Sequence, residues 1–273
     1  MQLAINYSPQ AGKLVDEGII DVDLFKCPTA SDPVVALHRP GLLDDARAIR
    51  PIYVHFPLNA LDQTGVDWAE VDDVLESTET RYVNLHLIAT NADFPGVDPA
   101  SVDQRVLDIV ADRFVEGVGQ VVGRYGADRV IVENVPYAAA WKFLRACVEP
   151  EVIRRVVDET GCGLLLDLAH ARITAQALGV DPIEYVGHLP VASLRELHVT
   201  GTGDGEELRD SMPMNADDWS LLEWASAQIH SGDWSRPWAA AFEYGGIGPI
   251  FDWRSDPAVI AESAPRLRSI LKG

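Results

Sequence analysis

The chain is poor in cysteine and in positive charge, and it has no long apolar run. Its three cysteines, Cys27, Cys147 and Cys162, are widely spaced and odd in number. No disulfide framework is expected, no Cys-x-x-Cys pair offers a thiolate zinc site, and a reducing cytoplasm fits. The absence of about 18 consecutive apolar residues argues against a membrane span. The first residues lack a basic stretch and an apolar h-region, so they read as a strand and not as a signal peptide. Lys and Arg number 22 against 42 Asp and Glu, a net charge of −20. Nucleic-acid backbones need clustered cations, so a polyanionic partner is not expected, whereas cations would gather at this surface. The turn after the first predicted strand is Asn6-Tyr7-Ser8-Pro9, which carries no glycine-rich dinucleotide fingerprint.

What is present is an alternation. Eight short apolar, β-rich runs occur at residues 3–6, 22–25, 52–56, 82–87, 129–133, 163–167, 194–199 and 239–244. Their apolar positions are consecutive, as in strands covered on both faces of a parallel sheet. Segments of helical periodicity lie between them, at 67–77, 101–125, 150–160, 215–230 and 256–271. In 101–125 the apolar positions are Val102, Val106, Ile109, Val110, Phe114, Val118 and Val121, with Gly126 as the stop. Eight such units predict a single (β/α)8 TIM barrel, an α/β fold, occupying residues 1–273 as one domain. An open doubly wound sheet is the competing architecture.

Six of the eight runs end in an acid or a histidine: His55, His86, Glu133, Asp167, His198 and Glu243. In a β/α barrel the C-terminal strand ends form one mouth, so these side chains are expected to converge. Three buried acids need compensation. With no Lys or Arg read at an equivalent strand end, a divalent cation is the expected counter-charge. Taken singly, a strand-end histidine is more often a hydrogen-bonded core group, and a strand-end acid can cap the next helix. Mixed imidazole and carboxylate donors suit Fe, Zn or Mn. His170, three after Asp167, and Asp210, in the loop after the seventh run, are candidates for an additional metal. For Asp210 a solvated loop acid is an equally good reading.

Other features read as structural. His38, His188 and His230 are expected at the surface or in packing. Trp219, Trp224, Trp234, Trp238 and Trp253 suit aromatic packing better than a substrate wall. The loop Gly201-Thr202-Gly203-Asp204-Gly205 lacks a phosphate-loop ending but could cover the mouth.

The order Glu133, Asp167, His198, Glu243 resembles the metal quartet of the xylose-isomerase-like barrels, a superfamily with sugar isomerases, epimerases and endonuclease IV. With His55, His86, His170 and Asp210 the pattern is similar to the trinuclear site of endonuclease IV. That resemblance implies one metal on His55, His86 and Glu133, a second on Glu133, Asp167, His198 and Glu243, and a third on His170, Asp210 and a histidine two residues on. Met212 stands at that last position, and a thioether is a poor ligand for a hard cation. Two metals are therefore expected, with a third in question.

Within the superfamily the chain resembles the multinuclear non-haem iron-dependent oxidases. Val132-Glu133-Asn134 fits, as does the run from Gly163 to Asp167 through Ala175, Gly179, Asp181-Pro182, Tyr185 and Leu189-Pro190 to Glu196-Leu197-His198-Val199-Thr200-Gly201. It departs from that pattern at His170, at Asn84-Leu85-His86-Leu87 and at Pro57-Leu58-Asn59-Ala60. The resemblance implies an iron centre bridged by Glu133 that modifies cysteine in a ribosomally made peptide, or a similar small substrate, helped by a peptide-recognition partner protein. Glu133, Glu243 and His170 are the candidate catalytic groups. The alternatives are a sugar isomerase or epimerase using the quartet alone, and a phosphodiester hydrolase like endonuclease IV, which the acidic charge and Met212 disfavour.

Overall fold

The computed structural model describes residues 1–29, 41–138, 142–248 and 254–272. His38 and Trp253 lie outside them. The described strands are β1 (Gln2–Asn6), β2 (Leu24–Cys27), β3 (Ile52–Val54), β4 (Leu58–Asn59), β5 (Val83–His86), β6 (Val130–Glu133), β7 (Gly163–Asp167), β8 (Leu194–Val199) and β9 (Ala239–Phe242). All pairings are parallel, in the order β3-β2-β1-β9-β8-β7-β6-β5-β4.

The two ends of that order, β3 and β4, are halves of one chain segment separated by His55, Phe56 and Pro57. The sheet therefore closes on itself as an eight-unit α/β barrel whose third strand is broken. Pro57 has no N–H to donate to a ladder. Asn84 on β5 spans the break with its side chain. Its Oδ1 accepts from the Phe56 N–H at 2.7 Å, and its Nδ2 donates to the Phe56 carbonyl at 2.9 Å. The amide thus replaces a rung of backbone pairing.

The helices are α1 (Pro9–Asp16), α2 (Leu42–Ile49), α3 (Trp68–Ser77), α4 (Gln104–Tyr125), α5 (Pro150–Thr160), α6 (Leu168–Leu178), α7 (Pro182–Gly187), α8 (Ala216–Ser231) and α9 (Pro257–Lys272). Their starts are chemically marked. Ser8, Asp67, Asp103, Asp181 and Asn215 each accept from first-turn N–H groups. Val102 falls ahead of α4 and Ile109 lies on its exposed side. The inward face is Leu107, Val110, Ala111, Phe114, Gly117, Val118 and Val121. Gly117 lets α4 touch the barrel: a Cβ there would stand 1.9 Å from the Ala60 carbonyl oxygen.

The second strand is Leu24–Cys27 and not 22–25. Asp23 lies just before it and accepts from the Leu3 N–H and from Arg268. This shift by two residues puts Lys26 near the C-terminal end of β2, so a cation does occupy a strand end. The apolar run misled because it begins before the strand does.

The tryptophans pack. Trp224 and Trp234 meet edge to face, Trp219 lies under Arg266, and Trp238 packs beneath Ala4, Leu24, Tyr53 and Ala241 inside the barrel. His188 and His230 are exposed, as expected. Among the described residues no helix is long and apolar enough to cross a membrane.

Candidate metal centre

All eight candidate ligands lie at the C-terminal end of the barrel or in the loops above it. His86, Glu133 and Asp167 close β5, β6 and β7. His198 lies one residue before the end of β8, and His55 and Glu243 follow β3 and β9 directly. Donor atoms about 2.1 Å from one ion stand about 3.0–3.4 Å from one another. That spacing is the test for each group.

His55 Nε2, His86 Nε2 and Glu133 Oε2 form a nearly equilateral triangle, with sides of 3.3, 3.4 and 3.2 Å. The rings are fixed by their other contacts. His86 Nδ1 lies 3.0 Å from the Leu58 carbonyl, which can only accept, so Nδ1 carries the proton and Nε2 a lone pair. His55 Nε2 accepts from Asn84 Nδ2 at 3.1 Å, and burial holds its pKa well below the usual histidine value. Two unprotonated nitrogens and a carboxylate oxygen therefore stand within 3.4 Å of one another. The Asn84 amide offsets part of that repulsion at His55, and a cation at the centre would take its place on that lone pair.

Beside it, His198 Nδ1 stands 3.0 Å from Glu243 Oε1 and 3.9 Å from both Glu133 Oε1 and Asp167 Oδ2. His198 and Asp167 are fully buried. Glu133 Oε2, Asp167 Oδ2 and His198 Nδ1 are buried without a hydrogen-bond partner. Buried polar atoms are nearly always satisfied, so three orphans on one cluster point to a missing counter-ion. Asp167 is also the N-cap of α6: its Oδ1 accepts from the His170 N–H at 2.7 Å, and the orphaned Oδ2 faces the cluster. Capping and ligation are compatible, one oxygen for each. Burial pushes the Asp167 carboxyl up to about 7.

Besides that triangle, three further groups bring three donor atoms within 4.8 Å of one another: His55, Glu133 and His198; Glu133, Asp167 and His170; and Asp167, His198 and Glu243. Glu133 joins the first two. Asp210 is in none of them. His170 Nδ1 lies 2.9 Å from the Asn134 carbonyl, leaving Nε2 to face Asp210 Oδ2 at 3.8 Å. Burial would lower the His170 pKa, but Asp167 and Asp210 more than reverse that and hold it well above the usual value. The structure brings His170 and Asp210 together. The Met212 backbone is paired with Gly201 in an antiparallel bridge, and its side chain passes over Gly203. The 201–205 segment is tied down in part: Thr202 is held by Asp218, which also pairs with Arg172 of α6.

Four contributors escape a reading of strand ends. Lys26 is buried and paired with Glu243. Burial would lower its pKa, yet Glu243 raises it, and His198 and Lys26 together hold Glu243 well below the carboxylate range. Glu196 accepts from His198 Nε2 at 2.9 Å. Asn134 clasps Asp167 through two backbone bonds, and Asn84 supports His55. Glu196 and Asn84 each lie two residues before a candidate ligand on the same strand. Period-two alternation puts such residues on the same face, and that was the available signal.

A family model described as RiPP precursor modification enzyme MbnB/TglH/ChrH matches residues 58–232, more than half of the chain. The chain belongs to that family of enzymes. Consistent with membership, it is 26% identical over 229 residues to a UPF0276 protein of Acaryochloris marina, covering 78% of this chain and 74% of that protein. A UPF0276 protein of Rhizorhabdus wittichii is also 26% identical, over 232 residues and 81% of each chain. Among solved structures, D-psicose 3-epimerase of Clostridium cellulolyticum superposes with a TM-score of 0.54 at 12% identity over 99% of both chains. A family 2 AP endonuclease of Brucella melitensis gives 0.52 at 15% identity, over 97% of this chain and 99% of that one. These structural likenesses show the TIM-barrel fold and nothing finer.

Proposed function

We propose that this enzyme is a non-haem iron-dependent oxidase that modifies a cysteine of a ribosomally made peptide, with two metal positions sharing Glu133. The observation that carries this reading is the triangle of His55, His86 and Glu133. Two imidazoles and one carboxylate are the ligand pattern of non-haem Fe(II) sites that handle oxygen. Family membership supports a peptide substrate. Glu133, Asp167, His198 and Glu243 would hold the neighbouring metal, and Glu133 would bridge through its two oxygens. His170 and Asp210 would lie beside that pair, with Met212 leaving a third metal without its full ligand set.

Iron held there would supply one-electron chemistry and an open coordination position for a thiolate and for oxygen. The chain's own residues do the rest. Buried carboxylates set the charge of the centre, and Leu58, Asn134 and Glu196 fix the ring nitrogens that face it. His170 is the group that would hold or move a proton beside a bound substrate, whereas Glu243, kept ionised by His198 and Lys26, would serve as a ligand. A partner that presents the peptide is expected for a mouth ringed by acidic groups.

Anaerobic purification followed by metal analysis and iron spectroscopy tests the proposal. Iron should be present at about two equivalents per chain, and oxygen should be consumed with peptide. Active protein holding only zinc or manganese would overturn it. The isomerase or epimerase reading needs only the quartet. Full turnover after loss of both His55 and His86 would favour that reading.

A further inference from the structure

Glu196 is an acid inside the barrel, one layer below the candidate ligands, and it is 3% exposed. A carboxylate there is costly unless its lone pairs are used. Here they are. Oε1 accepts from the Tyr53 hydroxyl at 2.9 Å and faces His198 Nε2 at 2.9 Å, while Oε2 accepts from the Trp238 indole N–H at 3.1 Å. With both oxygens committed to donors from three other residues, Glu196 is not itself free to serve the mouth.

We propose that Glu196 is a positioning residue that fixes the tautomer of His198, sending its Nδ1 lone pair toward Glu133, Asp167 and Glu243. The inference rests on the quartet being a metal site. The angles decide between the two nitrogens. Nε2 makes a hydrogen bond with Glu196 Oε1 at 2.9 Å, whereas Nδ1, although 3.0 Å from Glu243 Oε1, makes none, so in the neutral ring the proton sits on Nε2 and Nδ1 is the bare, orphaned nitrogen. The other rings are held differently. His86 and His170 rest on the carbonyl oxygens of Leu58 and Asn134. A carboxylate partner makes its imidazole a more basic ligand than a carbonyl does. Glu196 thus strengthens the one histidine that serves the quartet and leaves the other side of the centre unaffected.

Two measurements test this. The first uses metal-free native protein, with the imidazole nitrogens followed by NMR at a pH where the His198 ring is neutral. The Nε2–H tautomer is expected, and Nδ1–H would overturn the proposal without any mutation. The second is titration of metal-free protein with Co2+ as a spectroscopic probe. Glu196→Ala should weaken the quartet class of sites about 10- to 100-fold and leave the His55/His86 class within about threefold. Tyr53→Phe and Trp238→Phe remove the other two donors to Glu196 and should leave both classes within about threefold. If either weakened the quartet as much as Glu196→Ala, Glu196 would act through packing and the proposal would fall. Native protein that bound no Co2+ but showed the Nε2–H tautomer would remove the metal reading and keep the tautomer assignment.

Discussion

The two halves of the candidate centre are built from different supports. On one side, His198 and Asp167 are fully buried, and charged groups hold the ligands: Glu196 on His198 and Lys26 on Glu243. On the other, the His55 and His86 side chains keep 17% and 21% of their surface exposed. Neutral amides and carbonyls hold them, beside the break in the third strand. Buried, charge-supported ligands suit a resident ion that seldom leaves. Accessible ligands with neutral supports suit a position that exchanges partners with substrate. Glu133 faces both halves, with Oε2 toward His55 and His86 and Oε1 toward His198.

The largest expected effect comes from destroying the comparison. Glu133→Gln replaces a carboxylate whose two oxygens face both halves by a neutral amide with one carbonyl oxygen and should lower metal content on both sides and activity by at least about 100-fold. Metal analysis with an oxygen-consumption assay checks this, and retention of both quantities would refute the site assignment. Next, His55→Ala with His86→Ala should remove one metal equivalent and the oxidase activity while the quartet stays loaded.

Lys26→Met separates the halves by charge. It leaves Glu243 buried beside Asp167 without its cation, at a cost of about 3–5 kcal/mol in metal-free protein, read from urea unfolding. Added metal should then raise the Tm of this variant more than that of the native chain. An equal rise would mean that Lys26 does not share Glu243 with the metal. Gly117→Ala acts from the other side. The new methyl meets the Ala60 carbonyl, and Ala60 donates to the His86 carbonyl at 3.0 Å. A loss of about 1–3 kcal/mol is expected, with weaker binding confined to the two-histidine half. The smallest effect is that of Met212→His, which should add at most one metal equivalent beside His170 and Asp210.

The fold was legible because a barrel repeats its signal. Consecutive apolar positions marked strands covered on both faces, and the predicted helical segments 67–77, 101–125 and 215–230 begin within two residues of the observed caps Asp67, Asp103 and Asn215. The mouth was legible because strand ends are its definition. Lys26 was hidden by a two-residue error in β2, in a run where Val22 lies outside the strand yet is buried. Glu196 and Asn84 were hidden for another reason. Period-two spacing puts them on the ligands' face, but their partners lie on strands far away in sequence, and that spacing does not name those partners. The break after Val54 was equally invisible: His55-Phe56-Pro57 reads as the end of an ordinary strand, and only the paired Asn84 amide reveals that the ladder stops there.

That break has a mechanical meaning. A closed barrel has no natural place to open, because every strand is gripped on both flanks. This one is joined at its gap by a side-chain amide that clasps the backbone of one residue, Phe56. The same Asn84 amide also donates to His55 Nε2 at 3.1 Å. One side chain therefore closes the barrel and holds a ring of the candidate centre, so the seam of the sheet and the site share a part.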